Sequence, residues 1–455
     1  MDKYKGKNIL VFGLGLNQGG VGSALFFAKH GANVKVTDLK SEEVLKPSLD
    51  QLKNFPEITY TLGEHKNEDI DWADLIIKNP AVKPGNKYIE YAHKLGKRVE
   101  QDFGIFLDFI KPSQIIGVTG TKGKSTTANL IYEVLKISHP RGVILAGNIG
   151  TSVLDIIDQI NLNTLVVLEI SSFQLEAFDT HKVSPKYAVI TNIYPDHLNY
   201  YSTMNEYIAA KKIIGKYQTG DDFLFLPIDL RGSVRTTYEV DMLEGVKSQV
   251  VYFSRNDLPK DFNPILQGEH NLSNMAAAFA VAKAFGVTKD LALDTMQNFK
   301  GVEFRQQLIR EWHEVKIIND TTATGPDAAI QAIKTLGAEL IHPPGDLILI
   351  CGGMNKGMDY TEFAKVVDQN CKKVFFLEGD STDIILSSLR EQRSNLSING
   401  PYNDLEQLLT DVKAEVQPGD TILFSPAATS FNLFQNEFDR GRKFNAAVQK
   451  VFVDA

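Results

Sequence analysis

Gly120-Thr121-Lys122-Gly123-Lys124-Ser125-Thr126 follows an apolar run, Gln114 to Val118. It precedes Leu130, Ile131, Val134 and Leu135, spaced as one face of a helix. A strand that feeds a small-residue turn and then a helix is a phosphate loop. Small residues let backbone N–H groups approach phosphate oxygens, and the helix N-terminus adds a positive dipole end. Lys124 is expected on the β- and γ-phosphates and the Ser125 hydroxyl on Mg2+, so the chain is expected to bind a nucleoside triphosphate. Val118 stands where the strict Walker spacing has Gly, and the Thr-Gly-Thr-x-Gly-Lys-Ser form marks a narrower set of enzymes. Three more groups could do chemistry nearby. Glu169 ends the apolar run Val166-Val-Leu-Glu169, His197 sits in Asp196-His197-Leu198, and Lys211 and Lys212 lie in a helical pattern. On residue types alone, Glu169 is a metal-facing acid or a strand-boundary acid, and His197 a ligand or a loop cap. The lysine pair reads first as a solvated face. With Ser125, Glu169 and His197 would make a mixed O/N metal set around the triphosphate.

The elements that position these groups alternate between strand and helix almost throughout, the pattern of an α/β protein with mostly parallel sheets. Residues 1–110 begin with the strand Asn8–Phe12 and the turn Gly13-Leu-Gly15-Leu16, with a helix expected near Ser23. A second strand, Ala32 to Asp38, ends in an acid. The Gly spacing is GxGxxxG, so a Gly-rich loop for a phosphorylated ligand other than a dinucleotide is expected. Residues 111–306 carry the phosphate loop, further strands at Leu165–Ile170, Tyr187–Asn192, Phe223–Leu226 and Gln249–Phe253, and an Ala-rich helix from Asn271 to Phe285. Residues 307–455 carry strands at Val315–Ile318, Leu347–Cys351, Val374–Leu377 and Thr421–Phe424, with polar residues Asp320, Lys356 and Ser425 at strand ends. In open α/β sheets ligands sit at those ends.

Composition narrows the functional class. Across 455 residues the net charge is -8, which argues against nucleic acid as a partner. The two cysteines, Cys351 and Cys371, cannot build a four-Cys zinc site or a disulfide framework. No apolar run approaches the roughly 20 residues needed to span a bilayer. No signal-peptide pattern opens the chain, so a cytoplasmic protein without membrane insertion is expected.

The same residues resemble the Mur ligase family, in order and along almost the whole chain. The segments are Thr119-Gly-Thr-Lys-Gly-Lys124-Ser-Thr, Gly147-Asn148-Ile-Gly150, Glu169-Ile-Ser-Ser-Phe-Gln-Leu-Glu176, Asp196-His197-Leu, Ala210-Lys211 and Gly268-Glu-His-Asn271-Leu-Ser-Asn274. Asn319-Asp320-Thr-Thr-Ala-Thr324, Gly352-Gly353-Met-Asn-Lys356-Gly-Met-Asp359, Ser425-Pro-Ala-Ala-Thr-Ser430-Phe431 and Phe438-Asp-Arg440-Gly441 continue the match. The resemblance implies three α/β domains: a Rossmann-like N-terminal domain for a UDP-sugar, a central P-loop ATPase-type domain, and a C-terminal Rossmann-like domain for an amino acid. It implies an ATP-dependent amide ligase that joins D-glutamate to UDP-N-acetylmuramoyl-L-alanine through an acyl phosphate, in peptidoglycan precursor synthesis. ATP would contact Gly120 to Thr126, Asn271, Asn274, Arg305 and Asp320. Two Mg2+ ions would be held by Ser125, Glu169, His197 and Lys211, the last carrying a carbamate. Lys124, Glu169, His197 and Lys211 would be the catalytic set. Gly15, Leu16, Asp38, Leu39, Lys40, Asn79 and Asn148 would bind the UDP-sugar, and Thr324, Lys356, Ser430 and Phe431 the amino acid. The partners implied are small-molecule substrates, and the protein is expected to be a monomer.

The chain also departs from the family pattern. Asp38-Leu39-Lys40 stands for Asp-Thr-Arg, Asn79-Pro-Ala81 for Ser-Pro-Gly, Phe304 for His, Thr322 and Gly325 for Lys and Asn, and Glu437 for an aromatic. Other readings are a ligase of the same mechanism for another amino acid such as L-glutamate, or a non-catalytic UDP-sugar or nucleotide binder.

Overall fold

The computed structural model describes residues 2–15, 18–83, 85–139, 142–149, 151–196, 200–231, 242–266, 268–339, 345–355, 358–392, 396–430 and 433–453. It divides into two compact units, Met1–Phe299 and Lys300–Ala455.

The first unit holds two parallel sheets. In the first, β1 (Asn8–Phe12), β2 (Asn33–Asp38), β3 (Thr59–Leu62), β4 (Leu75–Lys78) and β5 (Arg98–Glu100) run in the order β3-β2-β1-β4-β5. Ile9, Leu10, Val11 and Phe12 are all buried, because helices cover both faces of a central parallel strand. Strand order reverses at β1, which opens a crevice at the carboxyl ends of β1 and β4. Helix α1 (Gln18–Lys29) starts well before the expected Ser23. Its glycines are not loop residues. A Cβ on Gly20 would lie 2.2 Å from the Leu14 carbonyl oxygen, and one on Gly22 would lie 2.7 Å from the Ser152 side chain. Gly there permits close approach inside a helix.

The second sheet contains β6 (Ile115–Thr119), β7 (Val143–Gly147), β8 (Leu165–Glu169), β9 (Tyr187–Ile190), β10 (Phe223–Pro227) and β11 (Gln249–Phe253), in the order β11-β10-β9-β6-β8-β7. β6 lies between β8 and β9, so the loop after Thr119 opens beside Glu169 on one side and residues 191–196 on the other. Helices α2 (Lys124–Ser138), α3 (Met204–Lys216) and α4 (Glu269–Ala284) pack around it. One apolar core runs through both sheets, with Phe103 against Phe178 at 6.0 Å between ring centroids. The Lys78 ammonium adds a polar tie, donating to both Glu176 carboxylate oxygens at 2.9 Å.

The second unit has one sheet, β12 (Gln307–Trp312), β13 (Val315–Asn319), β14 (Leu347–Cys351), β15 (Lys373–Leu377), β16 (Ser397–Tyr402) and β17 (Thr421–Phe424), in the order β12-β13-β17-β14-β15-β16. β12 pairs antiparallel with β13, and the other pairs are parallel. Helix α5 (Glu437–Val451) covers one face, and Cys351 is a fully buried core residue on the other. Among the described residues, no helix is long and apolar enough to cross a membrane.

Candidate active site

The loop between β6 and α2 is held open from several sides. Gly120 and Gly123 have φ of 143° and 79°, conformations L side chains rarely adopt. A Cβ on Gly120 would fall 2.0 Å from Thr191 Oγ1, and one on Gly123 2.2 Å from Asn274 Oδ1. Asn274 thus reaches the loop from α4, where it also accepts from Thr127 Oγ1 at 3.3 Å and donates to Asn271 Oδ1 at 3.4 Å. The Lys122 amide donates to Asn192 Oδ1 at 2.9 Å, while its ammonium lies 3.6 Å from Asp196. Lys124 Nζ donates to the carbonyls of Gly120 and Thr121 at 3.1 and 2.9 Å. Thr126 is buried beside it.

Ser125 Oγ donates to Glu169 Oε2 at 2.5 Å, and Asn148 Nδ2 donates to Glu169 Oε1 at 3.0 Å. Glu169 is 2% exposed. A hydroxyl and a carboxylate side by side at the first turn of a phosphate-loop helix are hard oxygen donors, which fits Mg2+. Gly147 lets the end of β7 approach β8 closely: a Cβ there would meet the Glu169 backbone carbonyl oxygen at 2.2 Å.

Lys211 enters from α3. Its side chain is buried, Nζ donates to the Gly120 carbonyl at 2.7 Å, and the ammonium lies 4.6 Å from the Tyr207 ring centre. Burial pushes its pKa well below the usual lysine range, and Lys124 adds to this, while Asp196 and Glu169 oppose it. A lysine so placed is a neutral amine far more readily than a surface one. Tyr207, one helical turn before Lys211, also meets Thr121 Oγ1 at 3.1 Å. His197 lies outside the described residues. Among the described residues, no three His, Cys, Asp or Glu side chains gather into a metal cluster.

At the carboxyl edge of the first sheet, the Gly15 amide donates to Asp38 Oδ2 at 2.9 Å and the Lys40 amide to Asp38 Oδ1 at 2.9 Å. Leu39 is 65% exposed, an apolar side chain standing beside the crevice. Asn79 Nδ2 donates to the Gly13 carbonyl at 3.2 Å, joining the β4 and β1 turns. Leu16 lies outside the described residues.

In the second unit, Asp320 follows β13. It accepts from Ser425 Oγ at 2.7 Å and from the Gln306 amide at 3.1 Å. Burial lifts its carboxyl to about 7, with Arg305 and Arg440 acting against the rise. The Arg440 guanidinium is fully buried and donates to Thr321 Oγ1, the Thr321 carbonyl and the Ala428 carbonyl at 2.9, 2.8 and 3.0 Å. Burial lowers it to about 9, so it stays charged at neutral pH. It clamps the loop of Thr324 to the loop of Ser430. Ser430 Oγ is buried and has no hydrogen-bond partner among the described residues. Lys356 and Phe431 lie outside the described residues.

The structure therefore gathers Lys124, Ser125, Glu169, Asn148, Lys211, Asn271 and Asn274 around one loop, and Asp320, Arg305, Thr324 and Ser430 around the ends of β13 and β17. Sequence reasoning gave no role to Tyr207, Asn192 or Arg440. Tyr207 was visible as an aromatic four residues before a lysine on one helix. Asn192 arises from contacts distant in sequence with no local signal, and Arg440 lies in the matching Phe438-Asp-Arg440-Gly441 segment, which does not by itself reveal the clamp.

The chain is similar to known proteins along nearly its whole length. Residues 7–100 match the model for the Mur ligase MurD-like N-terminal domain, 118–264 the Mur ligase middle domain, and 304–428 the Mur ligase glutamate ligase domain. A UDP-N-acetylmuramoylalanine–D-glutamate ligase of Roseiflexus sp. (strain RS-1) is 37% identical, over 98% of each chain. One of Borreliella afzelii (strain PKo) is 36% identical, over 98% of this chain and 99% of that one. Among solved structures, UDP-N-acetylmuramate-alanine ligase MurC of Thermotoga maritima has a similar fold, with a TM-score of 0.61 at 22% identity over 98% of this chain and 99% of that one.

Proposed function

The chain belongs to the Mur ligase family, and from that premise we propose that it joins D-glutamate to UDP-N-acetylmuramoyl-L-alanine at the expense of ATP, in peptidoglycan precursor synthesis. We assign residues 1–110 to the UDP-sugar, 111–306 to ATP and Mg2+, and 307–455 to the amino acid. The observation that carries the central assignment is the Ser125–Glu169–Asn148 array at the mouth of the phosphate loop.

The reaction moves the γ-phosphoryl group of ATP to the terminal carboxylate of the UDP-sugar, releasing ADP. The amine of D-glutamate then attacks the acyl phosphate carbon and loses a proton. Collapse of the tetrahedral adduct expels phosphate and leaves an amide. The first step brings two anions together, so cations must neutralise and align them. Loop amides and Lys124 hold the phosphates. Ser125 and Glu169 would hold Mg2+, which supplies charge neutralisation at the transferring group. Asn148 bonds to Glu169 and, following the edge strand β7, would contact the UDP-sugar near its terminal alanyl carboxylate. Ser430 and Thr324 offer hydroxyls to a carboxylate of the amino acid, and Arg440 holds their two loops in register. Lys356, Phe431, His197 and Leu16 keep the roles the family resemblance gives them.

Lys211 is assigned a carbamate. Its neutral amine would add to CO2 and lose a proton, which turns a buried amine into an anionic oxygen ligand for Mg2+. Carbon-13 NMR in labelled bicarbonate, with Mg2+ and ATP present, should show a carbamate signal that Lys211→Arg lacks. Absence of that signal in the unmodified chain would sink the assignment. The reading also takes the protein as a cytoplasmic monomer whose partners are small molecules.

Phosphate release from ATP, with Mg2+ and UDP-N-acetylmuramoyl-L-alanine, tests the function directly. Release should depend on D-glutamate. Release with L-glutamate alone would move the specificity, and no release under any arm would overturn the ligase reading.

A further inference from the structure

His65 sits at the carboxyl edge of the first sheet, one residue past the bridge that joins Asp38 to Glu64. Its ring stacks on Phe12 at 4.0 Å and 24°, and meets Tyr88 edge-on at 5.3 Å and 73°. Phe12 and Thr37 come from the ends of β1 and β2, next to Asp38 and the Gly15 turn. The ring is therefore fixed in a plane at the edge of the crevice assigned to the UDP group.

Its hydrogen bonding fixes the tautomer. His65 Nδ1 lies 2.8 Å from Thr37 Oγ1, and the same hydroxyl donates to the Glu64 carbonyl at 3.2 Å. A hydroxyl has one proton, and a backbone carbonyl can only accept. Thr37 therefore accepts from Nδ1–H, and Nε2 carries a lone pair. Nε2 has no hydrogen-bond partner among the described residues, and His65 as a whole keeps 9% of its surface exposed. Burial lowers the His65 pKa and favours the neutral ring, against the opposing charges of Asp38 and Asp69. Asp69 is itself paired with Lys35 at 2.8 Å.

A rigid acceptor at a nucleotide crevice discriminates among bases. Uracil presents N–H at ring position N3, whereas cytosine presents a lone pair there. We propose that His65 reads the nucleobase of the UDP-sugar, its Nε2 accepting a hydrogen bond from uracil N3–H. This deepens the UDP-sugar assignment and rests on it. Cytosine would place lone pair against lone pair, and a buried unpaired polar contact of that kind costs far more than a weakened one.

Calorimetric titration with UDP, CDP and UDP methylated at N3 tests this, together with steady-state kinetics. The unmodified protein should bind UDP about tenfold or more tighter than either analogue. His65→Asn keeps an N–H for Thr37 but has no acceptor at the Nε2 position. It should bind all three within about threefold of one another and raise KM for the UDP-sugar, leaving kcat within about twofold. His65→Gln, whose side-chain oxygen reaches the Nε2 position, should recover part of the discrimination. Equal binding of UDP and its N3-methyl analogue by an otherwise active ligase would overturn the His65 role alone. Uniform weakening of all three ligands in His65→Asn would reduce His65 to a packing residue and overturn it too. Failure to bind any uridine nucleotide, with no turnover, would overturn both this role and the ligase reading beneath it.

Discussion

Asp320 shows how burial can outweigh favourable neighbours at a single residue. Two donors and two guanidinium groups surround the carboxyl, yet its pKa rises from 3.8 to about 7. The folded protein therefore holds a proton that the unfolded chain releases between those values. Stability must then fall as pH rises through that window. Asp320→Asn, neutral at every pH, should remove this fall. Its stability relative to the unmodified chain should grow from pH 4 to pH 7 by at most ~4 kcal/mol. Urea midpoints at pH 4, 5, 6 and 7 measure it, and parallel pH curves for the two proteins would refute it. Residue types told part of the site at this scale: Lys124 and Ser125 stood out by their spacing from a strand, while Glu169 alone read equally well as a strand-boundary acid. Lys211 did not stand out, since a lysine pair on a helix normally faces water, and only burial against the Gly120 carbonyl shows otherwise.

At the scale of elements, glycine positions divide into two kinds. Gly123 combines a φ of 79° with Asn274 Oδ1 at 2.2 Å from a would-be Cβ, at the start of α2. Gly142 has a φ of 102° with nothing within 4 Å. Gly123→Ala should cost backbone strain of ~1–2 kcal/mol and also push α4 from the loop, weakening ATP binding by roughly tenfold or more. Gly142→Ala should show the strain but bind ATP as before. Thermal unfolding and ATP titration of the pair separate strain from clash, and equal ATP affinities would rule out the α4 contact as a determinant. The alternation of strands and helices was legible because fully buried parallel strands read as apolar runs. The start of α1 was not legible. Glycines usually signal a loop, and their use for helix packing depends on Leu14 and Ser152, which local pattern does not bring near.

At the scale of the molecule, each unit carries its own apolar core, and the first unit joins two sheets through one continuous core and the Lys78–Glu176 pair. By itself the sequence determined the α/β class, the phosphate loop, and the order of motifs that marks the family. These are local facts: hydrophobic period, turn chemistry, and residues within a few positions of a strand end. Only the tertiary structure decided which distant residues meet. It brought Glu169 to Ser125, Lys211 to Gly120, Arg440 to the loops of Thr321 and Ala428, and His65 to Thr37 and Phe12. The physical reason is strand order. A parallel sheet places the carboxyl ends of β6, β8 and β9 side by side although long segments of chain separate them, and that adjacency is written in the packing of the whole core, not in any one stretch of residues.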